Sequence, residues 1–281
     1  MTPKERVIAA LRHKQPDRAP WGEHSIDYNI YEMVLGRESF VHAKFKEQKA
    51  YWEGRRDEVA ASYKRDYVDL AKALEMDLIT VTMLPPKDYS PPAPRQIDDE
   101  TFIDGDGAVY KLSSVTGDLM KTPMNTAYFQ YDITLEQITE MVEQVKKLPD
   151  LDPNPNVPEY EALNHVIGEM GATHFVAAPV NGLEWTRFGR TEEESWMNLV
   201  LYPEICSKIA EYQYLYTKRE LPRLKAAGID GVLSVGDLGY THGLAASPAC
   251  YRGIIYPFHK LLYKDYRQLG LFAIRHCCGN I

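Results

Sequence analysis

Apolar positions along this chain fall into two patterns. Short runs have strand length, and between them lie longer stretches with helical spacing. Val7, Ile8 and Leu11 give a short helical face behind Thr2-Pro3-Lys4-Glu5. There Thr2 can cap the helix, Pro3 fits its first turn, and Glu5 completes a capping box. Pro16-Asp17-Arg18 ends it, and Ala19 to Glu23 reads as a short strand with Glu23 and His24 at its C-terminal end. Residues 38–76 are mostly helical by pattern, and Asp77 to Leu84 is β-rich and reads as a buried strand.

Pro85 to Pro94 and Pro149 to Pro158 are Pro-rich connectors. Between them, residues 95–131 carry short strands around Asp-Gly turns, which predicts a small β-hairpin insertion. Leu135–Leu148 and Glu159–Met170 have helical spacing, and His174 to Pro179 is a third strand. Thr191 opens a helix with Glu194 as the capping-box partner. Pro203 opens another that runs to Ala227, where Gly228 stops it. Gly231 to Asp237 reads as a buried strand ending in a carboxylate. Ser247-Pro248 opens a helix to Leu269, and Leu271 to Cys278 forms the last strand. Strands alternating with long helices imply βα units, a parallel sheet and an α/β fold.

Composition narrows the function classes. The 281 residues are 44% hydrophobic and 26% charged, as in a globular protein, and the formal net charge is −8. That balance argues against nucleic acid or an anionic membrane as partner, since both need a positive footprint. Four cysteines in a chain of this length are no disulfide framework. The N-terminus has no apolar core of signal-peptide length, and no stretch approaches the roughly 20 apolar residues of a membrane span. A cytoplasmic location is the expectation.

The candidate chemistry gathers at strand ends. His276 and Cys278 are two apart, so they share a face of the last strand while Cys277 points to the other. A neutral imidazole and a thiolate on one face are half of a zinc site. The bland alternative is a buried cysteine acting as a small hydrophobe. A further ligand would come from beyond Ile281, or from Asp237 or Glu23; Cys206 and Cys250 lie in predicted helices. Asp237 suits a ligand, a general base or a substrate anchor, or else a loop carboxylate. Glu23 and His24 follow the same logic as substrate-binding candidates. His242, in a Gly-rich stretch, either faces the site or is a solvated loop residue. Trp185 and Arg187 either floor a pocket or pack. Tyr212, Tyr214 and Tyr216 read as packing surface, and His13, His42, His165, His174 and His259 as structural or exposed.

Two blocks then resemble a known family. Met1 to Trp21 is similar to the opening of uroporphyrinogen decarboxylase superfamily proteins. Gly236 to Ile281, with His276-Cys277-Cys278-Gly279-Asn280, resembles their central block and its HxCGN turn. Residues 38–170 match only in general layout. The resemblance implies one (β/α)8 TIM-barrel-type domain over residues 1–281. About five of its eight strands are present, so the preferred reading is a barrel whose C-terminal part is missing; a shorter open sheet is the alternative.

In the superfamily's decarboxylases an arginine-rich motif binds substrate carboxylates. Glu23 to Asn29 has no arginine, and Thr80 to Leu84 lacks the catalytic Asp, which argues against a tetrapyrrole substrate. The other branch holds zinc with the His and Cys of HxC and a later Cys, and moves a methyl group from a corrinoid protein to a thiol. His276 and Cys278 match the first two ligands. The expectation is therefore a zinc-dependent methyltransferase with Asp237, His276 and Cys278 at its centre. Its partners would be a corrinoid protein and a small-molecule methyl acceptor. The alternatives are a metal-independent decarboxylase and, from another class, an inactive fragment or partner-docking module.

Overall fold

The structure, a computed structural model, describes residues 1–122, 132–186 and 188–281. Its helices are α1 (Pro3–Leu11), α2 (Tyr28–Leu35), α3 (Phe45–Trp52), α4 (Arg56–Ala73), α5 (Leu135–Lys147), α6 (Glu161–Met170), α7 (Glu192–Leu201), α8 (Pro203–Ala227), α9 (Pro248–Cys250) and α10 (Tyr256–Gln268). Its strands are β1 (Leu78–Thr80), β2 (Arg95–Gln96), β3 (Thr101–Ile103), β4 (Val109–Leu112), β5 (Leu119–Thr122), β6 (Phe175–Asn181), β7 (Gly231–Val235), β8 (Gly239–Tyr240), β9 (Gly243–Leu244) and β10 (Phe272–His276). They form two compact units, Met1–Asn125 with Pro155–Val176, and Thr126–Asn154 with Ala177–Ile281. Among the described residues no helix is long and apolar enough to cross a membrane.

The first unit is organised by one buried carboxylate. Asp77 has no exposed surface. It accepts from Arg6 Nη1 at 2.5 Å, from Arg18 Nη1 at 2.6 Å and from the Trp21 backbone N–H at 2.9 Å. These bonds join α1, the Arg18–Trp21 lead-in and the start of β1. Burial alone would raise this carboxyl's pKa, but the Trp21 N–H and the two guanidinium groups outweigh it and hold it below the ordinary value. The same bonds explain why Ala19 to Glu23 is no strand. Pro20 has no N–H, and Trp21 gives its own to Asp77, so a single parallel bridge remains between Gly22 and Leu78.

β1 is shorter than its apolar run for a similar reason. Beyond Thr80 the N–H of Thr82 goes to the Tyr67 hydroxyl, and that of Leu84 to Glu159 O. The expected hairpin is a four-stranded antiparallel sheet in the order β2-β3-β4-β5. The rest of its expected span, 123–131, lies outside the described residues.

The second unit is built from βα units. β6 from Ala177 pairs in parallel with β7, and β7 with β10. Every strand from β6 to β10 in that ladder is joined to the next through helices, as a parallel sheet requires. Buried Ile209, Leu221, Leu224 and Leu262 bring α8 and α10 into the core. The Tyr214 hydroxyl on α8 donates to Asp265 on α10 at 2.7 Å. Helix α5, with its Thr134–Gln137 capping box, buries Ile138 and Val142 and packs on α8. The helix expected from Ser247 to Leu269 is present with one difference: Tyr251–Ile255 forms a π turn between α9 and α10. At Thr191 the hydroxyl caps the Glu194 N–H, but the Glu194 carboxylate accepts from Arg190 N instead of closing the box.

The Asp77 lock gives a stability prediction. Asp77→Ala removes the buried anion between two guanidinium groups; because Arg6 keeps Asp17 and Arg18 is partly exposed, it should cost about 1–3 kcal/mol in urea unfolding. Because the folded-state pKa is depressed, the contribution is present above the unfolded value and is lost as pH falls below about 4. The wild type should therefore lose stability steeply there and the variant less so. A cost below about 1 kcal/mol, or identical acid profiles, would remove Asp77 from this role.

Candidate metal centre

Three strand ends of the second unit are drawn together by Arg275. This residue precedes His276 in β10, so its side chain leaves the opposite face. Its Nη1 donates to Gly182 O, just past β6, and its Nη2 to Leu183 O and to Gly236 O, just past β7. His259 of α10 supports the same turn, with Nε2 at 2.7 Å from Gly182 O and 3.0 Å from Leu183 O. Its Nδ1 lies 2.9 Å from the Tyr251 hydroxyl. Burial, and then the nearby Arg275 charge, keep His259 below its usual pKa, which suits a neutral ring donating from Nε2 and accepting at Nδ1. Gly182 has no alternative here: a Cβ would run into the Arg275 guanidinium and Ser234.

Beyond this clamp the chain after β7 and the chain after β10 lie against each other. Leu238 N–H donates to Cys277 Sγ at 3.1 Å, and Leu238 O accepts from Trp185 Nε1 at 2.8 Å. The loop is thus pinned through both polar atoms of one peptide residue. Next to it, Asp237 Oδ1 accepts the Cys278 N–H at 2.7 Å. Tyr240 and Asn280 form an antiparallel bridge. Gly239 and Gly279 meet backbone to backbone, where a Cβ on either would collide with the other segment.

This arrangement brings Asp237, His276 and Cys278 together. One ligand atom from each lies within 4.8 Å of the other two. Cys278 Sγ is 3.4 Å from His276 Nε2, which is 3.9 Å from Asp237 Oδ1. Tetrahedral zinc, with bonds of about 2.0–2.3 Å, spaces its N, O and S ligands about 3.4–3.6 Å apart. The donor set fits a zinc ion with small adjustments. The Asp237 charge, then partial loss of solvent and the contact with that carboxylate, raise the pKa of the Cys278 thiol. Two anions in one place repel, and a dication is their complement.

The other sequence candidates are not among these three ligands. Trp185 is buried, its ring edge-on to Trp196 and Tyr251, and its indole N–H holds Leu238. His242 is exposed in the turn between β8 and β9. Glu23 is exposed and His24 half-buried in the first unit. Arg187 lies outside the described residues. Cys206 is buried in α8 and Tyr214 packs against Phe258. Sequence reasoning missed Arg275 and the bond to Cys277 Sγ. Strand alternation signals which face each residue takes, but not what awaits it there.

No protein-family model matches the chain, and no curated protein matches it. A solved structure, a methyltransferase from Methanosarcina mazei, superposes with a TM-score of 0.53 at 12% identity, over 100% of this chain and 71% of that one. This chain shares that protein's fold at this level of likeness: an α/β structure with a parallel sheet.

The site's electrostatics can be tested without metal. In metal-stripped protein, Asp237→Asn should lower the apparent pKa of Cys278 and speed its alkylation by iodoacetamide near pH 8, followed by peptide mapping. An unchanged or slower rate would mean that Asp237 does not act on this thiol.

Proposed function

We propose that this chain is a zinc-dependent methyltransferase of the barrel type, moving a methyl group from a methylated corrinoid protein to a thiol acceptor. The single observation that carries the reading is the convergence of Asp237, His276 and Cys278 at the ends of adjacent parallel strands. The C-terminal strand ends are where α/β barrels hold their chemistry. The fold shared with the Methanosarcina mazei methyltransferase supports it, as does the resemblance of the HxCGN turn.

His276 and Cys278 would hold the zinc, with Asp237 as third ligand or as an anchor for the Cys278 backbone. Bound zinc would supply Lewis acidity that lowers the acceptor thiol's pKa, so that thiolate exists near neutral pH. The chain's own residues provide the rest. Asp237 fixes the Cys278 backbone through its N–H, and Cys277 and Trp185 fix Asp237 through Leu238. A site held this way keeps its ligands oriented before substrate arrives. In the overall reaction the thiol loses its proton, a carbon–sulfur bond forms, and the carbon–cobalt bond breaks with its electron pair left on cobalt.

The reaction is tested with methylcobalamin standing in for the corrinoid protein. Zinc-loaded protein and a panel of small thiols should give thioether and demethylated cobalamin, followed by absorbance. His276→Ala and Cys278→Ser should each lower the rate at least 100-fold, and Asp237→Asn about 10-fold or more. Rates equal to the zinc-thiol background in solution would overturn the reading. Metal-independent release of carbon dioxide from a carboxylated substrate would favour the decarboxylase alternative.

A further inference from the structure

The face of β10 opposite His276 carries a second feature, which adjoins Leu238 of the metal centre's supporting loop but includes none of its three ligands. Arg275 opens onto a cleft of about 410 Å³, walled on its other side by α10. Tyr256, Lys260, Tyr263 and Arg267 all line it. Their spacing of four, three and four residues places them in one stripe along the helix. Alternating ring and cation along a single face is a pattern that packing does not require.

We propose that this cleft binds a small organic anion that carries an aromatic ring. The first argument is charge. Lys260, Arg267 and Arg275 make no ion pair among the described residues. The chain carries a net charge of −8, and its other inward-facing arginines are matched: Arg6 with Asp17 and Asp77, and Arg56 with Glu161. Three unmatched cations converging on one cleft are therefore a local reversal of the protein's balance. Lys260 and Arg267 alone could be solvated surface residues. Arg275 is half-buried in a strand and has no such excuse.

The second argument is preorganisation. Arg275 is fixed by Gly182, Leu183 and Gly236 carbonyls, which orient its guanidinium without neutralising it. The third is the rings. Tyr256 and Tyr263 hydroxyls make no hydrogen bond among the described residues, so each offers a donor as well as a ring face. Lys260 sits over the Tyr256 ring at 5.9 Å, which orders both along the wall. The volume lies within the range of small-ligand sites. Phosphate or carboxylate on a flat ring meets both halves of this surface.

The probe is 4-methylumbelliferyl phosphate, titrated calorimetrically into the full chain at low ionic strength. Inorganic phosphate and uncharged 4-methylumbelliferone serve as its two halves. Saturable binding is expected, at least tenfold tighter than either half alone. The Lys260→Glu, Arg267→Glu double variant breaks no ion pair, so its circular dichroism should be unchanged while affinity falls at least tenfold. The His276→Ala, Cys278→Ser variant should bind the probe as the parent does. Absence of saturation at millimolar probe would overturn the proposal, as would full affinity in the charge-reversed variant. Loss of binding in the metal-ligand variant would place the probe at the other site and equally overturn it. Phosphate alone binding as well as the aryl phosphate would remove the aromatic half of the claim.

Discussion

Past the last backbone bonds of this parallel sheet, Gly182 N–H to Val235 O and Gly236 N–H to His276 O, the loops that follow must be held by something else. In the second unit that something is Arg275. One guanidinium serves three carbonyls from two strand ends, Gly182 and Leu183 beyond β6 and Gly236 beyond β7, and itself grows from a third strand. A lysine could not replace it, since a single ammonium lacks the planar fork that spans separate acceptors. The constraint also runs backwards into sequence. Gly182 must lack a Cβ to admit the guanidinium, and burial, then the Arg275 charge, disfavour the charged form of His259.

From this clamp the candidate metal centre follows by short steps. With Gly236 fixed, Asp237 is one residue from a fixed point. Leu238 is then tied on one side by Cys277 and on the other by Trp185. The remaining freedom is small, and the Asp237 carboxylate rests against the Cys278 N–H. The cost of the arrangement is electrostatic. A carboxylate beside a thiol opposes thiolate formation, so the same geometry that gathers the donors also disfavours them without a cation.

Much of this was legible in the sequence, because much of it is local. Thr2 and Thr191 stand where they cap helices, and Gly228 ends α8. Alternation along β10 separates His276 and Cys278 from Cys277. What the sequence hides is distant partners. Nothing near Trp21 says that its N–H belongs to Asp77, so Ala19 to Glu23 reads as a strand when it contributes one bridge. The stretch after Thr80 reads as strand until Tyr67 and Glu159 take its N–H groups. Asp237 reads as one of several options for a third ligand, and only folding places it within reach of His276 and Cys278. Trp185 reads as a pocket floor or as packing; its indole proves to be the post that holds Leu238.

The central claim is that these three side chains form one metal centre, and X-ray absorption at the zinc edge tests it most directly. Purified protein should bind close to one zinc per chain. Its first shell should contain one sulfur at about 2.3 Å with nitrogen and oxygen at about 2.0–2.2 Å, and the sulfur should vanish in Cys278→Ser. A shell without sulfur, or a sulfur signal unchanged in that variant, would contradict the account.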